Sequence, residues 1–129
     1  MSTPPPSDST ATVQPSGLTL EQYAEAKRLP VELLKTFGLT DHTYKSAPAV
    51  RVPYCGVDDR EFAVRYRTAL EGKKRFEWKK GAKTDLYGLD RLADARKKNQ
   101  IVIVEGESDC HTLWHHNQPA VGLPGAATF

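Results

Sequence analysis

The feature that most constrains the fold is the apolar run Ile101–Val104, which is followed at once by an acidic residue and a glycine. An unbroken β-branched run of this kind is typical of a strand that is buried on both faces, as in a parallel sheet. Ser108 is predicted to cap a helix that extends to about His116, and Pro119–Leu123 is predicted to form a second short strand. Residues 100–129 therefore predict a strand–helix–strand unit, the beginning of an α/β sheet.

An acidic cluster follows the first of these strands. Glu105 stands at the carboxyl end of the strand, where α/β sheets place their ligands, and Gly106 permits a tight turn. Glu107 and Asp109 follow, and three acids this close repel one another unless a metal, a proton or water relieves them. Hard oxygen ligands suit Mg²⁺ or Mn²⁺. The simpler alternative is that Glu107 or Asp109 only stabilises the helix dipole.

The segment before this unit begins with helical signals. Thr19 and Gln22 have the spacing of a capping box, which predicts the start of a first helix. Pro30 suits the first turn of a second helix, and Gly38 is placed to end it. We expect two short helices packed as a hairpin.

The hydrophobic period then changes from helical to extended. Ala49–Tyr54 is predicted as a strand, and Pro53 limits it to a sheet edge or a strand end. Phe62–Leu70 alternates cleanly and Arg75–Lys79 is a third strand, so the three are predicted to form an antiparallel meander. A helix of roughly Asp90 to Lys98 follows, and Asn99 is placed to end it. The fold class is therefore α+β.

Charge is distributed unevenly along the chain. Residues 60–98 hold 13 Lys and Arg against 6 Asp and Glu, a net charge of +7, whereas residues 99–129 hold no Lys or Arg and 3 acids. Aromatic residues are interleaved with the basic ones, and such a pattern suits phosphate binding and base stacking. Exposed lysines that only hydrate a sheet are the alternative. The candidate nucleic-acid-binding residues are Arg65, Arg67, Lys79 and Lys80.

Several classes of protein and site are not predicted. No apolar run is long enough for a membrane span and no secretory signal precedes the fold, so we expect a cytoplasmic protein. Cys55 and Cys110 cannot form a disulfide framework or a four-cysteine zinc site. A zinc site is not predicted from the histidines either, because no third, distant ligand accompanies His111, His115 and His116.

The sequence divides into three parts. Residues 1–17 contain four prolines and few large apolar side chains, which predicts a disordered tail. Residues 18–98 are predicted to form a small basic subdomain of helices and a meander. Residues 99–129 are predicted to begin an α/β domain that is cut off after its second strand.

These motifs resemble a known family. Two segments, Val104–Asp109 and Ala120–Ala126, resemble the first half of a Toprim domain. This fold is shared by bacterial-type primases, type IA and II topoisomerases and some nucleases. Four upstream motifs resemble the region before Toprim in phage- and plasmid-type primases and primase–helicases: Val52–Tyr54, Arg65–Arg67, Trp78 and Leu86–Leu89.

The resemblance assigns roles to single residues. It implies that Glu105 is the Toprim glutamate, with acid–base or metal duty, that Gly106 forms the turn of the motif, and that Asp109 is its second acid. Glu107 stands at a variable position. The later Asp-x-Asp of the family has no counterpart, and neither does the zinc ribbon of replicative primases, so we expect a fragment of a longer primase.

The implied activity is that of a DNA primase, a DNA-directed RNA polymerase-type nucleotidyltransferase. It would make RNA primers on single-stranded DNA from nucleoside triphosphates, with Mg²⁺ or Mn²⁺, in the replication of a phage, plasmid or other mobile element. A replicative helicase domain, fused or in trans, is the implied partner, and this chain alone is expected to be inactive. The alternatives are a non-catalytic nucleic-acid-binding module of Toprim type and another Toprim enzyme, nuclease-like or topoisomerase-like.

Overall fold

The computed structural model describes residues 17–72 and 75–124. The predicted tail, apart from Gly17, and the last five residues lie outside this range. Within it the chain forms α-helices, a 3₁₀ turn and two sheets. The elements in chain order are α1 (Leu20–Lys27), α2 (Val31–Thr36), β1 (Thr40–Tyr44), β2 (Ala47–Cys55), β3 (Glu61–Arg67), β4 (Phe76–Trp78), the 3₁₀ turn (Leu89–Arg91), α3 (Leu92–Lys98), β5 (Val102–Glu105), α4 (Glu107–His115) and β6 (Ala120–Leu123).

The larger sheet is antiparallel, with strand order β1-β2-β3-β4. The predicted meander is present as β2 to β4, but β1 is an additional strand that the sequence analysis missed. Its residues are polar and mostly exposed, so they carry no alternating apolar pattern. The turn to β2 places Lys45 and Ser46 at φ values of 52° and 67°. Tight hairpins require such values, but their usual Asn-Gly or Asp-Gly signature is absent.

β2 is a central strand, but Pro53 lies among its last three residues, where β1 no longer pairs, so the prediction that the proline is confined to an edge or a strand end is confirmed locally. β2 runs on to Cys55, and Pro53 is paired with Val64 of β3. The proline is tolerated because β1 pairs with β2 only as far as Arg51. No β1 carbonyl therefore needs an N–H at position 53.

The second sheet consists of the parallel pair β5 and β6, connected through α4, so the predicted strand–helix–strand unit is confirmed. Tyr87 pairs with Gly122 of β6 through two backbone hydrogen bonds of 2.9 Å. The prediction that β5 is buried on both faces is wrong, because Ile103 is 63% exposed. Alternate side chains of a strand point to opposite faces, and only Val102 and Val104 pack against the core.

Local end signals of the helices agree with the sequence analysis in three of five cases, namely Thr19, Gly38 and Asn99. Thr19 Oγ1 accepts from the Gln22 N–H at 3.1 Å and the Gln22 side chain accepts from the Thr19 N–H at 2.9 Å, which completes the capping box. Gly38 follows α2 with φ 93°, and Asn99 ends α3 with φ 54°. Pro30 is the N-cap of α2 and therefore precedes its first turn.

The main core draws on both the basic segment and the α/β unit. Its members from α1, α2 and β2, such as Tyr23, Leu34 and Tyr54, join Cys110 of α4 and Ala120 of β6 in one cluster. The two parts of the chain therefore share their apolar contacts, and the boundary at residues 98/99 stays a prediction. In the described ranges, no helix combines the length and the apolar character that a bilayer crossing requires.

Candidate metal and nucleic-acid site

The acidic motif forms the turn between β5 and α4. Glu105 is the last residue of β5 and is exposed. Gly106 has φ 82°, a conformation that favours glycine, and its N–H donates to the Leu123 carbonyl at 2.7 Å. Gly106 is the N-cap of α4, which begins at Glu107, so the prediction that Ser108 caps this helix is wrong.

The three acids of the motif have different environments. Glu105 and Asp109 are exposed, whereas Glu107 is 2% exposed and points into the protein. Two hard carboxylates fit Mg²⁺ or Mn²⁺, because Mg²⁺ usually takes one or two carboxylates together with water and substrate phosphates. Among the described residues, no group of three His, Cys, Asp or Glu side chains is arranged to hold a metal ion. Glu105 and Asp109 would therefore supply part of a coordination shell.

Glu107 is bound inside the protein by two side chains. The Tyr54 hydroxyl donates to its Oε2 at 2.5 Å, and Arg65 Nη1 lies 3.3 Å from the same oxygen. Burial, and next to it the Glu107 charge, raises the pKa of Tyr54 well above its ordinary value. The other oxygen, Oε1, is buried and has no hydrogen-bond partner among the described residues.

Arg65 and Arg67 both lie on the inner face of the antiparallel sheet. They are paired across the strands with Val52 and Val50, and they are only 8% and 5% exposed. Arg65 also donates to the Pro124 carbonyl. Arg67 donates to two backbone carbonyls further along its own segment, at 3.0 and 2.8 Å. The predicted nucleic-acid contacts of these arginines stay predictions.

Three guanidinium groups surround the ring of Phe76. Arg65 lies 4.1 Å from the ring centroid, and Arg67 and Arg75 lie 5.0 Å from it. We call these four residues the Phe76 cluster. In the described part of the chain, Arg65 is its only member within ion-pair distance of a carboxylate. The cluster thus concentrates three positive charges around one ring, with a single ion pair to a carboxylate among the described residues.

Lys27, at the end of α1, adds to this positive field and was missed by the sequence analysis. Its pKa is lowered by partial burial and then by the charge of Arg67, while the charge of Asp109 acts in the opposite sense. Lys27 thus interacts electrostatically with Arg67 of the Phe76 cluster and with Asp109 of the acidic motif. Local sequence could not indicate it, because the residues that surround Lys27 are 40 or more positions away.

Lys79 and Lys80 directly follow β4, whereas the buried arginines belong to β3. Both are exposed, and the Lys79 N–H donates to the Val64 carbonyl at 2.8 Å. They line an open groove of about 210 Å³ together with the start of β3 and residues 81–82. The predicted basic residues therefore form two sets, arginines on the inner face of the sheet and lysines on the surface.

His111 lies at the centre of the shared core with no exposed surface. The Tyr23 hydroxyl is 2.8 Å from its Nδ1 and the Tyr87 hydroxyl is 2.7 Å from its Nε2. Burial, and after it the charges of Arg67 and Arg91, lowers the pKa of His111 to about 3. The imidazole is thus neutral at pH 7, with both nitrogens hydrogen-bonded to tyrosines.

Comparison with known proteins gives matches in structure alone. No family model matches the sequence, and no curated protein matches it. Among solved structures, the zinc-binding and RNA polymerase domains of Aquifex aeolicus primase match 81% of this chain with a TM-score of 0.64 and 15% identity. The RNA polymerase domain of Mycobacterium tuberculosis primase DnaG matches 82% with a TM-score of 0.63 and 13% identity.

A third match has a phage source. A chain in the structure of bacteriophage T7 lagging-strand DNA polymerase with primase domains of two subunits matches 81% of this chain, with a TM-score of 0.57 and 21% identity. This chain spans 36%, 49% and 46% of the three matched chains, less than half of each. The resemblance to Toprim-type primases is therefore confirmed at the level of the fold: the chain has the α+β fold of part of a primase RNA polymerase domain.

Proposed function

We propose that this chain is part of a DNA primase, a nucleotidyltransferase that makes RNA primers on single-stranded DNA. The observation that carries the proposal is the position of the motif turn. Its exposed acids Glu105 and Asp109 accompany a buried Glu107 that reaches the Phe76 cluster, within the fold of a primase RNA polymerase domain. Phosphoryl transfer needs carboxylates that hold a divalent ion and, beside them, basic side chains that bind phosphate.

In the proposed reaction a 3′-hydroxyl attacks the α-phosphate of a nucleoside triphosphate, and pyrophosphate leaves. Glu105 and Asp109 would hold Mg²⁺ or Mn²⁺, which when bound neutralises charge on the attacking and leaving oxygens. Arg67, Arg75 and Lys27 would bind the phosphates of the nucleotide or of the template. Glu105 would hold the ion at the end of a paired strand, opposite Leu123.

Replication of a phage, plasmid or other mobile element is the proposed setting, and a helicase domain, fused or in trans, is the proposed partner. Both rest on the resemblance of the upstream motifs to phage- and plasmid-type primases and primase–helicases. The chain's short span relative to the matched structures supports the proposal that catalysis needs further segments.

The test of catalysis is primer synthesis on single-stranded DNA with labelled nucleotides. The complete gene product should make primers, its Glu105→Gln variant should lose at least 100-fold of that rate, and the 129-residue chain alone should make none. Glu25→Gln is the matched control, because Glu25 is an exposed acid on α1. Full activity of the Glu105→Gln protein would remove this residue from the mechanism, and robust synthesis by the short chain would refute the incomplete site.

The test of nucleic-acid binding is the salt dependence of single-stranded DNA affinity. Each phosphate contact on a single strand contributes about 0.7 to the slope of log K against log salt. Changing both Lys79 and Lys80 to Gln should therefore reduce the slope by about 1.4 units, measured by fluorescence anisotropy. Arg96→Gln with Lys97→Gln, two exposed cations at the end of α3, is the control. An unchanged slope in the Lys79/Lys80 variant would show that these lysines only hydrate the surface.

A second candidate function is a Toprim-type module that binds nucleic acid without catalysis. It is favoured by one observation, namely that no three metal-binding side chains come together in the described residues. Salt-dependent DNA binding without primer synthesis by the complete gene product would support this candidate. Cleavage or relaxation of DNA instead of synthesis would favour a nuclease-like or topoisomerase-like enzyme.

A further inference from the structure

The inward-facing acid of the motif is the least expected feature of the site. Glu107 is flanked in sequence by the exposed Glu105 and Asp109, yet its carboxylate is buried with Oε1 unpartnered among the described residues. Taking two charges out of water opposes folding, and an apolar pair of similar volume often stabilises a fold better. Stability is therefore a weak reason for such a pair, and the geometry of the Arg65–Glu107 contact indicates a positioning role.

Arg65 connects the motif to the antiparallel sheet at two points. It pairs with Glu107 on one side of the Gly106–Leu123 hydrogen bond, and it donates to the Pro124 carbonyl on the other side. Tyr54 of β2 binds the same carboxylate oxygen of Glu107. The two chain segments that frame the turn are thus both attached to side chains of β2 and β3.

The Phe76 cluster holds the guanidinium of Arg65 in place. Phe76 lies against it at 4.1 Å and Trp78 at 5.0 Å from their ring centroids, and both belong to β4. Since its charge is balanced by Glu107, Arg65 differs from Arg67 and Arg75, which have no carboxylate partner in the part of the chain that the structure describes. Arg65 is thus not equivalent to its neighbours as a phosphate ligand.

We propose that Arg65 and Glu107 are positioning residues, which fix the turn carrying Glu105 and Asp109 against the sheet that carries the Phe76 cluster. The inference rests on the proposed function for its catalytic consequence, but the positioning itself concerns this chain alone. It gives the ion-binding acids and the phosphate-binding cations one common frame. It also removes Arg65 from the residues proposed to bind phosphate.

The first experiment measures hydrogen exchange of the Gly106 amide in the 129-residue chain by NMR. In Arg65→Met and in Glu107→Gln this amide should exchange at least tenfold faster relative to the Val52 amide, a ratio that general destabilisation does not change in this way. Arg51→Met is the matched control, because the two-point Arg51–Glu61 pair, at 3.0 and 2.7 Å, joins β2 and β3 on the outer face. An unchanged ratio in the folded variants would overturn the proposal.

A milder substitution covers the case in which Arg65→Met does not fold. Arg65→Lys keeps the charge, but its single ammonium cannot reproduce the contacts of a guanidinium to both Glu107 and Pro124. It should still accelerate Gly106 exchange relative to Val52, by a smaller factor than Glu107→Gln. Wild-type protection in Arg65→Lys would contradict the two-point attachment.

The second experiment uses the complete gene product and its Mg²⁺ requirement. Arg65→Met and Glu107→Gln should raise the Mg²⁺ concentration for half-maximal primer synthesis at least fivefold, and the double variant should be no worse than the worse single variant. Arg51→Met should leave it unchanged. If the wild-type protein makes no primers, the proposed function fails, while the exchange ratio still decides the positioning role. An unchanged Mg²⁺ requirement in active variants would overturn the catalytic consequence.

Discussion

Gly122→Ala is expected to destabilise the protein through a single steric contact at the motif turn. A Cβ added to Gly122 would lie 2.8 Å from the Gly106 carbonyl oxygen and 3.0 Å from Cys110 Sγ. The first of these atoms belongs to the backbone of the turn, which is held by the Gly106–Leu123 hydrogen bond and cannot rotate away. The backbone of Gly122 is not in the left-handed region, so the cost is one of space alone.

The size of the effect follows from this geometry. Forcing an extra methyl group into a well-packed site costs about 1–3 kcal/mol. For a domain of this size, 1 kcal/mol corresponds to a shift of about 4 °C in Tm, so Gly122→Ala should lower Tm by about 4–12 °C. Thermal unfolding of the 129-residue chain by circular dichroism, with urea unfolding at 25 °C, measures both quantities.

A second substitution separates the two contacts. Cys110→Ala removes the sulfur but leaves the Gly106 carbonyl, so the double variant should recover only part of the lost stability. If the Tm of Gly122→Ala equals that of the wild-type protein, the close approach of β6 to the Gly106 carbonyl is wrong. Full recovery of stability in the double variant would show that the clash is with Cys110 and not with the Gly106 carbonyl.

Two further outcomes concern stability in other parts of the fold. The pKa of His111 is lowered to about 3 in the folded protein. Below pH 6.5 the unfolded chain therefore binds a proton at this histidine that the folded chain does not bind. The free energy of unfolding consequently falls as the pH falls from 6.5 towards 3. Between pH 6.5 and 5 this loss should be about 1.5 kcal/mol in urea unfolding, and His111→Gln should lack it; an equal loss in that variant would show that other groups cause it. Thr19→Ala removes the cap of α1 and should cost about 1 kcal/mol, whereas Thr43→Ala, at an exposed position of β1, serves as its control.

Local signals made much of the fold predictable. The capping box at Thr19, the glycine after α2 and the asparagine after α3 each act through the nearest few residues, and all three are present in the structure. The β5-α4-β6 unit was predictable for a related reason. A continuous apolar run, a glycine and a second apolar strand leave few arrangements other than a parallel pair with a crossover helix.

Features that depend on distant partners were not predictable. Alternation shows that Arg65 and Arg67 share one face of β3, but it does not show which face the helices cover. The partner of Arg65 is 42 positions away, and the hairpin before β2 uses Lys45 and Ser46 where turn statistics favour asparagine and glycine. The inward orientation of Glu107 accompanies a start of α4 that is two residues earlier than the Ser108 cap predicts.

The placement of His111 has a consequence for the order in which the chain folds. Its two tyrosine partners are 88 and 24 positions earlier, and the Tyr54–Glu107 contact spans 53 positions. On a ribosome, the hairpins of the antiparallel sheet can form as soon as they emerge, but the inner face of the sheet stays exposed to solvent until α4 has been synthesised. Contacts of such long range slow folding and prolong the exposure of apolar surface. The nascent protein should therefore remain protease-sensitive until α4 has left the exit tunnel, and become resistant in one late step.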